Sequence, residues 1–312
     1  MLSPSVIRHT LERRVPTLAA RLSIPPPADR EATLRAVSPA YVAAVANGPV
    51  SPHGHVHRMH VQGLEWWMPI VRSLEDGPRA EQIEKQRFPF RALSQTRELA
   101  VGGIMLDIGA NIGRMSIPRV VLGDVVAAYC AEPDPLNYAC LVGNILDNGL
   151  AGWLMPDQLA IGDRDGTVTL RRGNVSGAHR VVTAAGADPA PQGFIDVPSL
   201  TLDTWMTRLK VDPDAVNFVK VDVQGYESRV LQGATALRSR RHVAWQIEVE
   251  PDLLTDAGSS LSALCEQMSQ SFETFIDLTG DLGGGRDRPV GEIREALGYL
   301  GGAVRKTEVL LF

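Results

Sequence analysis

Three observations predict an α/β fold built on a mostly parallel sheet with helices on both faces. From residue 101 to the end, short apolar runs alternate with helical stretches, the order that parallel strands and crossover helices require. The segment "MLDIGANIGR", Met105 to Arg114, places a carboxylate and two glycines where an apolar strand runs out, as nucleotide-binding strand-to-helix turns do. The chain has 312 residues, 44% hydrophobic and 21% charged, the profile of a globular protein with one large domain and an appendage, or two domains.

The elements follow in order. The start, "MLSPSVIRHTLERRVPTLAARLSIPPP", reads as an amphipathic helix before a proline stop; its Arg-rich, acid-poor character also suits a transit peptide or a membrane-surface helix. It contains no unbroken apolar stretch of signal-peptide length, and no later segment approaches 18 apolar residues, so a cytoplasmic protein with no membrane span is expected. One further helix among Pro and Gly breaks precedes "VHRMHVQGLEWWMPI", a hairpin turning at Gln62 and Gly63, and a helix-like "PRAEQIEKQRF" follows. Residues 1–100 thus form an N-terminal accessory region of helices and a hairpin, and residues 101–312 the main domain. Strands are expected at Ile104–Ile108, Val125–Ala131, Leu154–Ile161, Val216–Val223 and Val243–Val249, and helices start near Ile112, Pro135 and Tyr226, with another over Leu261–Ser271. "GTVTLRR" and "FIDVPSL" carry a period-two pattern and form an inserted antiparallel hairpin; "FETFIDL" and "AVRKTEVLLF" supply two last strands.

Charge and motif spacing narrow the function. A formal net charge of −5 argues against a nucleic-acid partner, because phosphate contacts draw on concentrated Lys and Arg. Cys130, Cys140 and Cys265 have neither metal spacing nor the even count of a disulfide framework, and read as buried thiols in a reducing compartment. The turn lacks GxGxxG, since Asn111 follows Ala110 and the two glycines, Gly109 and Gly113, lie four apart, which disfavours NAD. It also lacks the lysine of a P-loop. What remains is a ligand with little or no phosphate, with Asp107 available to a cationic group. The next strand ends in Glu132, 25 residues beyond Asp107, where an acidic side chain accepts hydrogen bonds from both hydroxyls of a ribose; a plain acid at a helix N-terminus is the other reading.

At this point the residues resemble the FkbM-type S-adenosylmethionine-dependent methyltransferases. The resemblance rests on "MLDIGANIG", "CAEPDPLNYACLVGNI", "LAIGDRDGTVTL", "LTLDTW", "VNFVKVDVQGYESRVLQGA" and "WQIEVEP", about 200 residues from Gly103 to the last strand. It implies a class I (Rossmann-like) methyltransferase fold with a seven-stranded sheet, S-adenosylmethionine as cofactor, and an acceptor hydroxyl on a sugar, glycan or polyketide-type natural product. Carried over by position, Asp107, Gly109, Ala110, Asn111 and Gly113 line the methionine side, Glu132, with Pro133 beside it, holds the ribose, and Ala160 and Ile161 border the adenine. The family more often has Glu where Gln224 stands. The first 100 or so residues are not covered, and capping the site, selecting the acceptor and dimerisation are roles open to them.

Lys220, Asp222 and Gln224 point to one face of a strand, as do Gln246, Glu248 and Glu250 on the next. Charges inside a buried parallel strand are expensive unless paired or at the open end of the sheet. One reading is an ion pair such as Lys220 with Glu248; the functional one puts Asp222 and Glu248 at the transferred methyl group. An alcohol is a poor nucleophile while protonated, so Asp222, Glu227 and Glu248 offer either a general base or oxygen ligands for magnesium. His179, on the inserted hairpin, is an alternative base. Of His53, His55, His57 and His60, the first three share one face if the segment is extended and would suit zinc or nickel, but no Cys, Asp or Glu accompanies them, and a half-exposed strand with incidental histidines is the favoured reading. Of Trp66 and Trp67, alternation places one in the core, and core packing is favoured over a sugar-stacking platform. A small-molecule or glycan acceptor is the expected partner. An NAD-dependent oxidoreductase and a catalytically inactive cofactor-binding scaffold are the rivals.

Overall fold

The computed structural model describes residues 24–47, 56–61, 64–69, 102–174, 176–182, 193–278 and 286–312. The expected helices at the N-terminus and at "PRAEQIEKQRF", together with His53 and His55, lie outside them. Five-residue apolar runs build the centre of the sheet. Strands β3 (Ile104–Ile108) and β4 (Ala127–Ala131) are buried at every position, as a strand covered by helices on both faces must be. In the hairpin before them, β1 (Val56–Val61) pairs antiparallel with β2 (Leu64–Pro69). On the other side come β5 (Leu154–Asp157), β10 (Val216–Val221), β11 (Ala244–Val249), β12 (Thr274–Asp277), the two-residue β13 (Arg288–Pro289) and β14 (Thr307–Leu311).

These strands form one eight-stranded sheet in the order β13-β12-β14-β11-β10-β3-β4-β5. The run β11-β10-β3-β4-β5 is parallel throughout, and β14 enters antiparallel to β11 and β12. The mostly parallel sheet is therefore as expected, with β13 as an eighth strand. One predicted strand is corrected: Leu154–Ile161 is two strands, β5 and β6 (Ala160–Gly162), in different sheets. Pro156 and Asp157 still pair with β4; the chain leaves the sheet after Asp157, whose carboxylate is fixed inward, where Ser38 Oγ donates to it at 2.7 Å and Trp205 Nε1 at 3.2 Å. Strand β6 then joins the insert, pairing with β9 (Phe194–Thr201), which pairs antiparallel with β7 (Gly166–Arg171); β8 (Arg180–Val182) completes that second sheet.

Helix α1 (Pro27–Val37) and α2 (Pro39–Asn47) precede the hairpin, and α3 (Ser116–Val121) follows β3 four residues later than expected, because residues 109–115 form the turn. Helix α4 (Pro135–Asp147) starts at a proline pre-set for the first helical position, capped by Asp134, whose carboxylate accepts from Leu136 N and Asn137 N. Helices α5 (Leu202–Leu209), α6 (Glu227–Gln232), α7 (Thr235–Arg238), α8 (Pro251–Asp256), α9 (Leu261–Ser271) and α10 (Ile293–Ala296) follow, α9 over the residues its periodicity predicts.

The accessory elements share the main hydrophobic core, to which Leu34, Tyr41, Leu64 and Trp66 contribute. Asn144 of α4 and Asn148, which caps that helix, dock the hairpin. Asn148 accepts from Glu65 N at 2.9 Å and donates to Glu65 O at 2.7 Å; Asn144 makes the same pair of bonds with Trp67 N and O. The match is geometric, since one helical step of four residues rises about 6 Å and a strand step of two about 6.6 Å. The open edge of β2 is thereby satisfied by side chains instead of a third strand. Trp66 is buried, as alternation predicts, and Trp67 lies half-buried beneath Arg58 with its Nε1 donating to Asp147 at 2.8 Å.

Candidate active site

Between the carboxyl ends of β3, β4, β10 and β11 and the overhanging insert lies a cavity of about 330 Å³, within the range of small-molecule sites. Asp107, Gly109, Ala110, Asn111, Glu132, Pro133, Ala160, Ile161, His179, Asp222 and Glu248 all line it. Gly113 and Glu227 do not.

The turn after β3 explains both glycines without a ligand. A Cβ on Gly109, at φ +78°, would stand 1.9 Å from the carbonyl oxygen of Asp222, and one on Gly113 would strike Ile117 and Leu141 at 2.7 and 2.8 Å. They are glycines because β10 and helices α3 and α4 pass so close. Nor do residues 109–113 offer spare amides. Gly109 N and Ala110 N donate to Ala131 O, Asn111 N to Glu132, Ile112 N to the Asn111 side chain and Gly113 N to Ala110 O. The polar offering is made by side chains. Asp107 is buried, its Oδ2 has no hydrogen-bond partner among the described residues, and burial pushes its carboxyl up to about 6 although Lys220 and Ser116 pull it down. Such an orphaned acceptor suits a cationic group.

Glu132 accepts from Asn111 N at 2.8 Å through one oxygen and from Asp134 N at 2.9 Å through the other. Burial, then the neighbouring Asp134, raises its carboxyl to about 8. Oε1 also accepts from Asn137 Nδ2 at 3.4 Å, which leaves a second lone pair on Oε2. Asn137, in the first turn of α4, presents in the same wall an Oδ1 with no hydrogen-bond partner among the described residues.

The insert forms the roof. Ser176 O accepts from Asn111 Nδ2 at 2.9 Å and Asn137 Nδ2 at 2.8 Å, and Arg172 Nε reaches Asp134 at 2.7 Å. His179 belongs to this clasp. Its Nδ1 accepts from Gly173 N at 3.0 Å and its Nε2 stands 3.7 Å from Asp134.

The charged strand residues pair differently from the expected Lys220–Glu248 bridge. Lys220 Nζ sits 3.3 Å from Asp222, while Glu248 takes Lys306, from the start of the last strand, at 2.6 Å. Gln224, held at φ +55°, donates to Asp222 at 2.8 Å and Glu248 at 2.7 Å, so the residue that replaces the family's usual Glu bridges the two acids. Burial raises Asp222 and the Lys220 ammonium more than reverses it, holding this carboxylate ionised; burial and then the Asp222 charge drive Glu248 upward. Burial works against the Lys220 ammonium, and its ring of carboxylates, Asp222 first, keeps it charged. Glu227 turns away to clamp its own loop, accepting from Val223 N at 3.2 Å and Gly225 N at 3.1 Å. Among the described residues no group of three His, Cys, Asp or Glu side chains is placed to hold a metal ion. The wall also includes Met68, Asn137, Arg180 and Lys306, which sequence reasoning did not single out; of these, only Lys306 carried a signal, as a charge beside an apolar terminal run.

A parallel α/β sheet with a buried acid at one strand end, a second acid at the next and a carboxylate pair across the cleft places its polar groups where open α/β sheets bind their ligands, beyond the carboxyl ends of the strands. The methyltransferase FkbM domain matches residues 107–274, more than half the sequence, and the chain belongs to the FkbM methyltransferase family. It is similar to 2-O-methyltransferase NoeI of Sinorhizobium fredii, 27% identical over 142 residues that span 42% of this chain and 56% of NoeI. It is also similar to hexuronic acid methyltransferase AglP of Haloferax volcanii, 24% identical over 58% of this chain and 70% of AglP. The chain thus spans little more than half of the first relative's length. Among solved structures, methyltransferase FkbM from Methylobacillus flagellatus aligns with a TM-score of 0.40 at 16% identity, over 67% of this chain and 43% of that one. No helix among the described residues is long and apolar enough to cross a membrane.

Proposed function

We propose that the protein transfers a methyl group from S-adenosylmethionine to a hydroxyl of a sugar or glycan. The observation that carries this reading is the orphaned, buried Asp107 Oδ2 in one cavity with the Asp222–Glu248 pair. The residues fit the cofactor. Asp107 would take its ammonium, Glu132 and Asn137 Oδ1 its ribose hydroxyls, and Ala160 and Ile161 one face of its adenine. When bound, it supplies an electrophilic sulfonium methyl group. The protein's share is to orient the acceptor oxygen within about 3–3.5 Å of that carbon and to take its proton.

Asp222 reaches the cavity, its side chain 34% exposed, whereas Glu248 is 5% exposed behind it. Gln224 bridges the two carboxyl groups and each acid shifts the other's proton affinity, so they hold protons as a unit. Asp222 receives the hydroxyl, and the pair accepts the proton, with Lys220, Lys306 and Gln224 compensating charge. His179, with both ring nitrogens facing protein partners, holds the roof. A divalent cation at this place would have to displace Lys220 or Lys306, so we assign activation to the pair. Carboxylates, an amide and an ammonium at the acceptor end suit a polyol better than a polyketide surface, and the names of the two relatives, an O-methyltransferase and a hexuronic acid methyltransferase, support an oxygen on a sugar. Three buried free cysteines support a reducing compartment.

Calorimetry with S-adenosylhomocysteine and with NAD tests the cofactor: the first is expected to bind and the second not, and binding of NAD alone would overturn the proposal. Asp222→Asn and Glu248→Gln are expected to lower methyl transfer to a glycan panel by about 10²-fold or more, the scale of a lost general base, with S-adenosylhomocysteine binding retained. Full transfer by both variants would refute the catalytic assignment.

A further inference from the structure

We propose that Arg180 is a carboxylate-binding residue of the cavity, an inference that rests on the methyl-transfer reading above. Arg180 opens β8 and lines the roof. Its Nη1 reaches Asp256 of α8 at 3.0 Å, with the arginine side chain 13% exposed and the aspartate 48%. Its Nε is buried and has no hydrogen-bond partner among the described residues. A buried donor left unpaired costs about 1–3 kcal/mol, and an arginine cannot escape by losing its proton. Because Arg180 lines the cavity, a ligand bound there can supply the missing partner.

The neighbouring charges show what kind of partner. The ammonium groups of Lys220 and Lys306 are already against Asp222 and Glu248. Of the other wall atoms without a hydrogen-bond partner among the described residues, Asp107 Oδ2 and Asn137 Oδ1 are acceptors and call for donors, while Lys220 Nζ is held in its ion pair with Asp222 at 3.3 Å. Arg180 therefore supplies the complementary charge, a guanidinium with an unused N–H, which a planar carboxylate satisfies best. Two molecules bring such a group: the amino-acid end of the cofactor, and an acceptor sugar bearing an acid.

The test measures binding by wild-type protein and Arg180→Gln of four probes: S-adenosylhomocysteine, 5′-methylthioadenosine (the same thioether without the amino-acid carboxylate), and glucuronate and glucose added to the S-adenosylhomocysteine complex. If the cofactor supplies the carboxylate, S-adenosylhomocysteine weakens by about 10- to 100-fold, the size of one hydrogen bond to a charged group, and methylthioadenosine is unchanged. If the acceptor supplies it, both nucleosides bind as before, while glucuronate weakens and glucose does not. Equal behaviour of the variant and wild type toward all four overturns the proposal, and so does a parallel loss of both nucleosides, which would mean a collapsed roof. Asp256→Asn removes the ion pair but keeps the guanidinium; if it reproduces the loss, the pair and not ligand contact is responsible, and the proposal fails. Failure of wild-type protein to bind S-adenosylhomocysteine would instead sink the methyl-transfer reading.

Discussion

Replacing Asp107 with asparagine should stabilise the unliganded protein while impairing it. The side chain is buried, its Oδ2 unpartnered, and its carboxyl raised by burial from 3.8 to about 6. A folded value above the unfolded one means that the native state holds the proton more tightly, so stability is lost as pH rises from about 4 through about 6. At 1.36 kcal/mol for each pH unit of that gap, the ionised Asp107 costs the free protein about 3 kcal/mol above pH 7. Asparagine has nearly the shape of the protonated acid and nothing to ionise. Urea unfolding of both proteins at pH 4.5 and pH 8 should therefore show a small difference at the lower pH and a gain for Asp107→Asn approaching about 3 kcal/mol at the higher. Calorimetry at pH 8 should show the opposite for function, with S-adenosylhomocysteine binding weakened by about 10- to 100-fold as its ammonium loses a charged partner. A stability difference that does not change with pH would refute the account of the burial, and unchanged binding would refute the role given to the carboxylate.

Gly109→Ala should destabilise the fold by more than about 3 kcal/mol, because its Cβ would stand 1.9 Å from the Asp222 carbonyl oxygen at a backbone angle hostile to alanine; a loss under about 1 kcal/mol in denaturant melts would show that the two strand ends can separate. In Asn144→Ala/Asn148→Ala, amides of residues 56–69 should lose protection in hydrogen exchange while those of β3, β4 and β10 keep theirs, and uniform protection would mean that the asparagines do not dock the hairpin. Glu227, raised by burial to about 7, should likewise destabilise the folded chain as pH climbs from about 4.5 to 7. Glu227→Gln retains an oxygen for Val223 N and Gly225 N, so its Tm should vary less between pH 5 and pH 8 than that of wild type, and an unchanged pH slope would contradict the assignment.

The sheet was legible because its strands are continuous apolar runs, and α9 because a serine cap and a helical period coincide at Ser260 and Leu261. The turn at Asp107 and the acid at Glu132 were legible for the same local reason, since each stands where an apolar run meets a helix start. What failed to show was long-range. Nothing local announces that residues 154–161 divide between two sheets, that Asn144 and Asn148 would satisfy the edge of a strand about 80 positions earlier, or that Asp134 would cap a helix and hold Arg172 at once. Lys306 lies 58 residues from Glu248, and only the antiparallel return of β14 makes them a pair. For Gly109 and Gly113 the sequence offered close approach to a ligand as the reason, whereas the neighbours that forbid a side chain are Asp222, Ile117 and Leu141.

The asparagine mooring of the hairpin has a consequence for how such a protein can change. Both amides grip main-chain atoms of Glu65 and Trp67, which every residue type except proline can present. This part of the attachment is therefore blind to the hairpin's sequence, whereas Trp66 in the core and Trp67 on Asp147 are not. Met68, a hairpin side chain that lines the cavity, can be exchanged without loosening these main-chain bonds, so that one wall of the cavity is open to evolutionary drift while the strand ends that form its floor stay fixed.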